Sequence, residues 1–213
     1  MIKENISKIL SEIENYNTNL ICVSKTRTIE EIMEAYNTGM RDFGENHVQE
    51  LVEKRNKLPK DIRWHMIGHL QTNKVKDLLK DEVFLIHSVD SLKLAKEISK
   101  RSTKEQDILL EINIALEESK YGFNPDKDLL LETLNEIKKL PNINCLGLMC
   151  VAPNTSNPEE NTKYFELLKK LATHLDLKIL SMGMTNDYIY ACKCGSTYIR
   201  VGTGIFGERD YSK

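Results

Sequence analysis

Lys25 is the residue whose chemical type and position most directly indicate chemistry in this sequence. It follows residues 20–24, a short apolar run that is typical of a buried strand. Thr28 and Glu31 then have the Thr-x-x-Glu spacing of a capping box, which predicts that a helix begins almost at once. An amine held between two such elements is partly desolvated, and this favours the uncharged form that attacks a carbonyl to give a Schiff base. The alternative is a solvent-facing lysine in a loop.

Two later segments, 181–185 and 200–204, combine glycine with hydroxyl side chains. Glycines let the backbone approach an anion closely, and hydroxyl and amide groups donate hydrogen bonds to a phosphate. Ser181, Gly202 and Thr203 are the predicted donors. The alternative is that these small residues only turn the chain tightly.

Arg200 is the first residue of the second segment, two residues before Gly202. Beside a bound pyridine ring, a fixed guanidinium would disfavour a second positive charge and keep the ring nitrogen unprotonated. The alternative is a structural ion pair with a carboxylate such as that of Glu111. Pyridoxal 5′-phosphate (PLP) carries an aldehyde and a phosphate. A Schiff-base lysine and a phosphate site are therefore the two features that would bind it.

Eight short apolar runs alternate with helical patterns and predict the elements that position these residues. An amphipathic helix at residues 2–13 comes first. The Asn-Pro pairs at 124–125 and 157–158 are predicted to cap and open two of the later helices. The predicted strands are residues 20–24, 41–44, 62–67, 83–87, 107–114, 144–149, 178–182 and 198–201.

This alternation predicts a single α/β domain over residues 1–213, a (β/α)8 TIM barrel with an extra N-terminal helix. Because such barrels are typically about 250 residues long, we expect the N-terminal helix to occupy space left at the compact carboxyl end. Function is then expected at the carboxyl ends of the strands. The competing architecture is a doubly wound open sheet, but no Gly-x-Gly-x-x-Gly follows the first strand.

Composition favours a small-molecule ligand. The formal net charge is −2, so the chain has no excess of basic residues that would bind nucleic acid or an anionic membrane. No apolar run approaches about 18 residues, the length that a membrane-spanning helix needs. We therefore expect a soluble, cytoplasmic protein that binds neither. The five cysteines do not suggest a disulfide framework, and Cys192 and Cys194 lack a second Cys/His pair at zinc-site spacing.

Six motifs, spread over almost the whole chain, resemble the pyridoxal phosphate homeostasis protein family, which is also called proline synthetase co-transcribed homologue. They are VSKT (23–26), FGENHVQE (43–50), WHMIGHLQTNK (64–74), GLM (147–149), LSMGM (180–184) and RVGTGIFG (200–207). The resemblance implies a barrel similar to the N-terminal domain of alanine racemase.

The resemblance also implies PLP as the cofactor, bound as an aldimine of Lys25. Ser181, Arg200, Gly202 and Thr203 would surround its phosphate and ring, and the further pocket residues would be Asn46 and Met184. The implied role is intracellular PLP and vitamin B6 homeostasis without catalytic turnover. The expected protein is a monomer, and PLP-dependent apoenzymes are candidate partners.

Two enzymatic alternatives remain open. The first is a PLP-dependent racemase-type enzyme that uses His65, Tyr121 or Tyr188 as acid or base. Barrel-type racemases take a second base from an additional β domain, and we expect none here. The second is a Schiff-base aldolase without cofactor, whose phosphate site would hold a sugar phosphate.

Overall fold

Eight parallel strands pair in chain order and close on themselves as a barrel. The computed structural model describes residues 1–208. The predicted TIM barrel is confirmed, and the open doubly wound sheet is wrong. The strands are β1 (Asn19–Val23), β2 (Asp42–Glu45), β3 (Arg63–Met66), β4 (Leu85–Val89), β5 (Gln106–Ile112), β6 (Ile143–Cys150), β7 (Ile179–Ser181) and β8 (Tyr198–Val201).

Helices surround the barrel and connect successive strands. They are α1 (Ile2–Ile13), α2 (Ile29–Asn37), α3 (Val48–Lys57), α4 (Val75–Leu78), α5 (Leu92–Arg101), α6 (Lys127–Lys138), α7 (Thr162–His174), α8 (Tyr188–Lys193) and α9 (Thr203–Phe206). Short 3₁₀ turns at Thr72–Lys74 and Pro158–Asn161 precede α4 and α7. No helix within residues 1–208 combines the length and apolar character needed to cross a bilayer.

The capping box before α2 is confirmed: the Thr28 side chain accepts from the Glu31 amide, and the Glu31 side chain accepts from the Thr28 amide. The predicted cap at Asn124 is wrong. Phe123 exchanges backbone hydrogen bonds with residues 111 and 113, which keeps this segment extended. Asp126 caps α6 instead, because its carboxylate accepts the amides of residues 128 and 129.

The second Asn-Pro pair is placed differently from the prediction. Asn157 precedes the 3₁₀ turn, in which proline takes the first position, but its side chain makes no capping hydrogen bond. The amide of Asn157 instead donates to the hydroxyl of Thr155. The long helix α7 therefore begins only at Thr162.

The N-terminal helix completes the outer layer, as predicted. Ile2, Ile6, Ile9 and Ile13 recur at helical spacing and are all buried, and α1 packs against α2, α8 and α9. Because β1 pairs with β8 and α9 has only four residues, α1 covers the place where the barrel closes. Burial of each isoleucine contributes about 1.5–3 kcal/mol to stability.

Alternate residues of each strand point into the barrel or outward to the helices. The outward-facing side chains form the main apolar core. A smaller cluster of Leu85, Leu109 and Met149 lies inside the barrel. The interior also buries the polar residues Asp42, His65, His87, Ser181 and Arg200. These polar residues link the barrel interior to the candidate site above it.

Candidate functional site

A cavity of about 510 Å³ lies at the carboxyl ends of the strands. This is where a TIM barrel places its function, and the volume is in the usual range for a small-molecule site. Six of the seven residues that the sequence predicted for the site line it: Lys25, Asn46, Met184, Arg200, Gly202 and Thr203. The seventh, Ser181, lies below the cavity.

Lys25 is half-buried and lies two residues beyond the end of β1. The next residue, Thr26, has a φ of 65°, a left-handed conformation that a threonine adopts only when its surroundings impose it. The Thr26 amide donates to Oε1 of Glu50 at 2.6 Å. The carbonyl oxygen of Ser24, on the other side of Lys25, accepts from Nζ of Lys54 at 2.6 Å. Helix α3 thus holds the backbone on both sides of Lys25.

Lys54 is buried and joins three acceptors under this loop. Besides Ser24, its ammonium donates to Oε1 of Glu45 at 2.8 Å and to Oε1 of Glu50 at 2.6 Å. The Ser24 hydroxyl also donates to Glu45 at 2.6 Å. Burial raises the pKa of Glu45 to about 7, although Lys54 and Ser24 oppose the shift. We call Ser24, Glu45, Glu50 and Lys54 the Lys25 clamp; sequence reasoning missed its role.

Thr185 and Thr203 bring hydroxyl groups from the loops after β7 and β8 to one wall of the cavity. The Thr203 hydroxyl donates to the Thr185 hydroxyl at 3.1 Å, and the Gly204 amide donates to the same oxygen at 3.2 Å. A Cβ at Gly204 would lie 2.8 Å from Cγ1 of Val201 and 3.1 Å from Cγ2 of Thr185. Glycine is therefore what allows this close approach of the two loops.

Arg200 lies at the base of the cavity and is almost fully buried. Its Nη1 donates to Oγ of Ser181 at 2.6 Å, and its Nη2 donates to the carbonyl oxygen of Cys150 at 2.8 Å. Burial lowers the pKa of Arg200, and the negative charges of Glu111 and Asp187 oppose that shift. Glu111 therefore acts on Arg200 through its charge, whereas the hydrogen bonds go to Ser181 and Cys150.

Asp187 holds the wall that carries Met184. Its Oδ1 accepts from the Met184 amide at 2.7 Å, and its Oδ2 accepts from Nδ2 of Asn161 at 2.9 Å. Asn161 also donates to the carbonyl oxygen of Pro153 at 3.1 Å. Both Asp187 and Asn161 line the cavity, as does a second lysine, Lys120, on the loop after β5. No spacing pattern in the sequence indicates these three residues.

The three residues considered as an acid or base lie elsewhere. His65 is fully buried inside the barrel. Tyr188 donates from its hydroxyl to the carboxylate of Glu12 on α1. Tyr121 stacks on His69 with 3.6 Å between ring centroids, beside a neighbouring groove that Asn46 shares with the main cavity.

Cys192 and Cys194 do not line this cavity. Cys192 and Cys194 are buried free thiols, and burial raises the pKa of each. Among residues 1–208, no group of three or more His, Cys, Asp or Glu side chains is placed to hold a metal ion.

Comparisons with known proteins agree with this architecture. A family model described as "Alanine racemase, N-terminal domain" matches residues 1–210. The chain is 45% identical, over 202 residues, to the "Pyridoxal phosphate homeostasis protein" of Aquifex aeolicus; this covers 90% of the chain and 87% of that relative.

Solved structures are similar over nearly the whole chain. PipY of Synechococcus elongatus without PLP superposes with a TM-score of 0.89 at 33% identity, covering 97% of this chain and all of that one. The PipY structure with PLP bound gives a TM-score of 0.84 at 32% identity, with the same coverage. An alanine racemase of Clostridium difficile gives a TM-score of 0.75 at 17% identity, covering 97% of this chain and 57% of the racemase chain. This similarity is one of fold.

Proposed function

We propose that this chain, which belongs to the pyridoxal phosphate homeostasis protein family, binds PLP through a Schiff base at Lys25 and serves vitamin B6 homeostasis without catalytic turnover. The observation that carries the proposal is that one cavity holds a lysine amine together with a cluster of hydroxyl and amide groups. PLP presents an aldehyde and a phosphate on the same ring, so it has the two groups that this pair would bind.

The residues present fit that ligand. Thr185, Thr203 and the backbone of Gly204 form a compact group of hydroxyl and amide groups, and the absence of a side chain at Gly204 lets its backbone approach Thr185 and Val201. These are the neutral donors suited to a phosphate. Because β1 pairs with β8, the loop carrying Lys25 is next to the loop carrying Thr203. The aldehyde and the phosphate would therefore be held from adjacent strands.

Lys25 supplies the covalent chemistry. Its uncharged amine adds to the aldehyde carbon, and loss of the carbonyl oxygen as water leaves a carbon–nitrogen double bond, with no oxidant or reductant involved. The Lys25 clamp fixes the backbone on both sides of the amine, which limits the positions that the side chain samples. When bound, the pyridine ring of PLP can accept electrons from an attached amino acid.

Arg200 would face the ring nitrogen. Its guanidinium lines the cavity and is held from below by Ser181 and Cys150. A fixed positive charge there keeps the nitrogen unprotonated, and this weakens the ring as an electron acceptor. Such a ring favours storage of the cofactor over turnover.

Racemase-type turnover is the alternative, and the positions of its candidate residues do not favour it. His65 is sealed inside the barrel, and Tyr188 is bound to α1. The experiment is to mix the PLP-loaded protein with amino acids in deuterated water and follow exchange at the α-carbon. We expect covalent attachment of the cofactor without sustained exchange. Sustained exchange would overturn the homeostasis assignment in favour of an enzyme.

The absorbance spectrum of the protein titrated with PLP separates both PLP hypotheses from the aldolase alternative. We expect saturable formation of a yellow protein-bound chromophore. A protein that stays colourless and instead forms a borohydride-trapped adduct with a sugar phosphate would support an aldolase.

A further inference from the structure

A continuous chain of buried polar side chains crosses the barrel interior. His65 Nε2 lies 2.9 Å from Oδ1 of Asp42, and His65 Nδ1 lies 2.9 Å from Nε2 of His87. His87 Nδ1 lies 2.8 Å from Oγ of Ser181, which accepts from Arg200 at 2.6 Å. Asp42, His65 and His87 are on the successive strands β2, β3 and β4, whereas Ser181 and Arg200 are on β7 and β8. The chain therefore crosses to the opposite strands of the barrel.

Asp42 sets the hydrogen-bond direction at one end. Burial alone would raise its pKa, but hydrogen bonds from Arg63 and His65 lower the pKa to about 2. The carboxylate can only accept, so His65 must carry its proton on Nε2. Burial lowers the pKa of His65, although Asp42 opposes the shift. In the neutral ring the other nitrogen, Nδ1, is then an acceptor.

The remaining directions follow from this first one. His65 accepts at Nδ1, so His87 must donate from Nε2. Burial lowers the pKa of His87 well below its ordinary value, and the electrostatic effects of His65 and Arg200 act in the same direction. His87 is thus neutral and accepts at Nδ1 from the Ser181 hydroxyl. Ser181 has then used its proton, and only its lone pairs face Arg200.

We propose that Asp42, His65, His87 and Ser181 form a positioning chain that fixes the Arg200 guanidinium against the PLP ring nitrogen, with Asp42 setting the proton order from the far end. This inference rests on the proposed function. Ser181 acts as a positioning residue because it lies below the cavity and reaches the ligand only through Arg200. The same applies to the two histidines and to Asp42. At the far end, Arg63 closes the chain with a 2.8 Å bond from Nε to Oδ1 of Asp42.

The proton order can be measured without any cofactor. Long-range ¹H–¹⁵N spectra of the histidine rings distinguish the two neutral tautomers from the imidazolium. In the ligand-free protein we expect both His65 and His87 to be neutral with the proton on Nε2. A charged ring, or a proton on Nδ1 of either residue, would overturn the proposal, and this outcome is independent of whether PLP binds.

The second measurement compares PLP with an analogue in which carbon replaces the ring nitrogen. Asp42→Leu removes the terminal acceptor, and we expect it to weaken PLP binding about tenfold, the effect of disturbing one buried hydrogen bond, while binding of the analogue is unchanged. Asp42→Asn retains an acceptor oxygen and should restore binding to within about twofold.

Equal weakening for both ligands, or no weakening, would contradict the positioning role. If Asp42→Leu does not fold, Ser181→Ala serves the same comparison at the other end of the chain, with the same expected selectivity. Failure of the wild type to bind either ligand would count against the proposed function, whereas the tautomers would still decide the arrangement of the chain.

Discussion

The Nζ atom of Lys54 lies 2.6 Å from the carbonyl oxygen of Ser24, the residue immediately before Lys25. The residue after Lys25 is held from the same helix, because the Thr26 amide donates to Glu50. A flexible lysine side chain is therefore attached to a backbone that α3 fixes on both sides. The reactivity of Lys25 should depend on this clamp as well as on the amine.

Lys54→Met tests the clamp. The substitution removes the cation beside Glu45, whose carboxyl already has a pKa raised to about 7 and then takes up a proton, so we expect the free energy of unfolding to fall by about 1–3 kcal/mol, the cost of the lost buried hydrogen bonds. PLP affinity measured by absorbance titration should fall about tenfold in the protein that remains folded, because the Lys25 backbone is less constrained.

Lys57→Met is the matched control for that prediction. It lies on the same helix, and its exposed ammonium pairs with Glu53 at 2.6 Å. Solvent screens such a surface pair, so the substitution should change stability little and leave PLP affinity unchanged. Equal behaviour of the two methionine variants would show that the buried contacts of Lys54 do not position Lys25.

Thr185→Val and Thr203→Val test the proposed phosphate site. Each removes a hydroxyl from the cluster while keeping the shape of the side chain. We expect affinity for PLP to fall about tenfold or more, since each hydrogen bond to a charged phosphate is worth about 1.5–3 kcal/mol. Affinity for pyridoxal, which lacks the phosphate, should change little. Thr155→Val, which changes a hydroxyl that lines the cavity on the loop after β6, should not alter the ratio of the two affinities.

Gly68→Ala tests the packing that supports Asn46. A Cβ at Gly68 would lie 2.3 Å from the carbonyl oxygen and 2.5 Å from Cα of Asn46, so the backbone must move. We expect urea denaturation to show a loss of about 1–3 kcal/mol or more. Gly202→Ala places its Cβ at an ordinary 3.4 Å from Val23, and it should cost distinctly less. A Gly68→Ala protein as stable as Gly202→Ala would contradict the close backbone contact.

Glu45→Gln tests the buried carboxyl through the pH dependence of stability. The pKa of Glu45 is raised to about 7 in the folded protein, from 4.5. Between these values the folded state retains a proton that the unfolded state has released, so this group's contribution to stability falls as pH rises. Relative to Glu45→Gln, the wild type should lose up to about 3 kcal/mol between pH 4.5 and pH 7. A pH-independent difference in unfolding free energy would contradict the raised pKa.

The periodic features of the sequence predicted the barrel and the loops that form its mouth. Alternating apolar runs and helix starts are local signals, and they brought Lys25, Arg200, Gly202 and Thr203 to one cavity. The cap at Asn124 failed because pairing between Phe123 and the end of β5, a tertiary effect, keeps that segment extended.

Ser181 and Thr185 lie in one short segment, and the sequence does not predict which of them reaches the cavity. Ser181 is the last residue of β7 and points into the barrel one layer below the cavity. The chain turns at Gly183, which has a φ of 96°, before Thr185 reaches the cavity wall. Both residues carry a hydroxyl within two residues of Gly183, so only the position of the turn distinguishes them.

The burial of Lys54 and the contacts of the interior histidines also could not be predicted from the sequence. Lys54 lies in a charged helix and has the sequence context of a surface residue, yet it is buried. Asp42, His65 and His87 are separated by more than twenty residues each. They meet only because three successive strands turn alternate side chains inward, and the sequence contains no local pattern that reports this contact.

The identity of the modified lysine tests the account most directly. The PLP-loaded protein is reduced with borohydride, digested and mapped by mass spectrometry, with Lys25→Ala as the control. We predict a phosphopyridoxyl group on Lys25 in the wild type and none in the variant, which should remain folded by circular dichroism. A label on Lys120, which lines the same cavity, or undiminished labelling of Lys25→Ala would contradict the account.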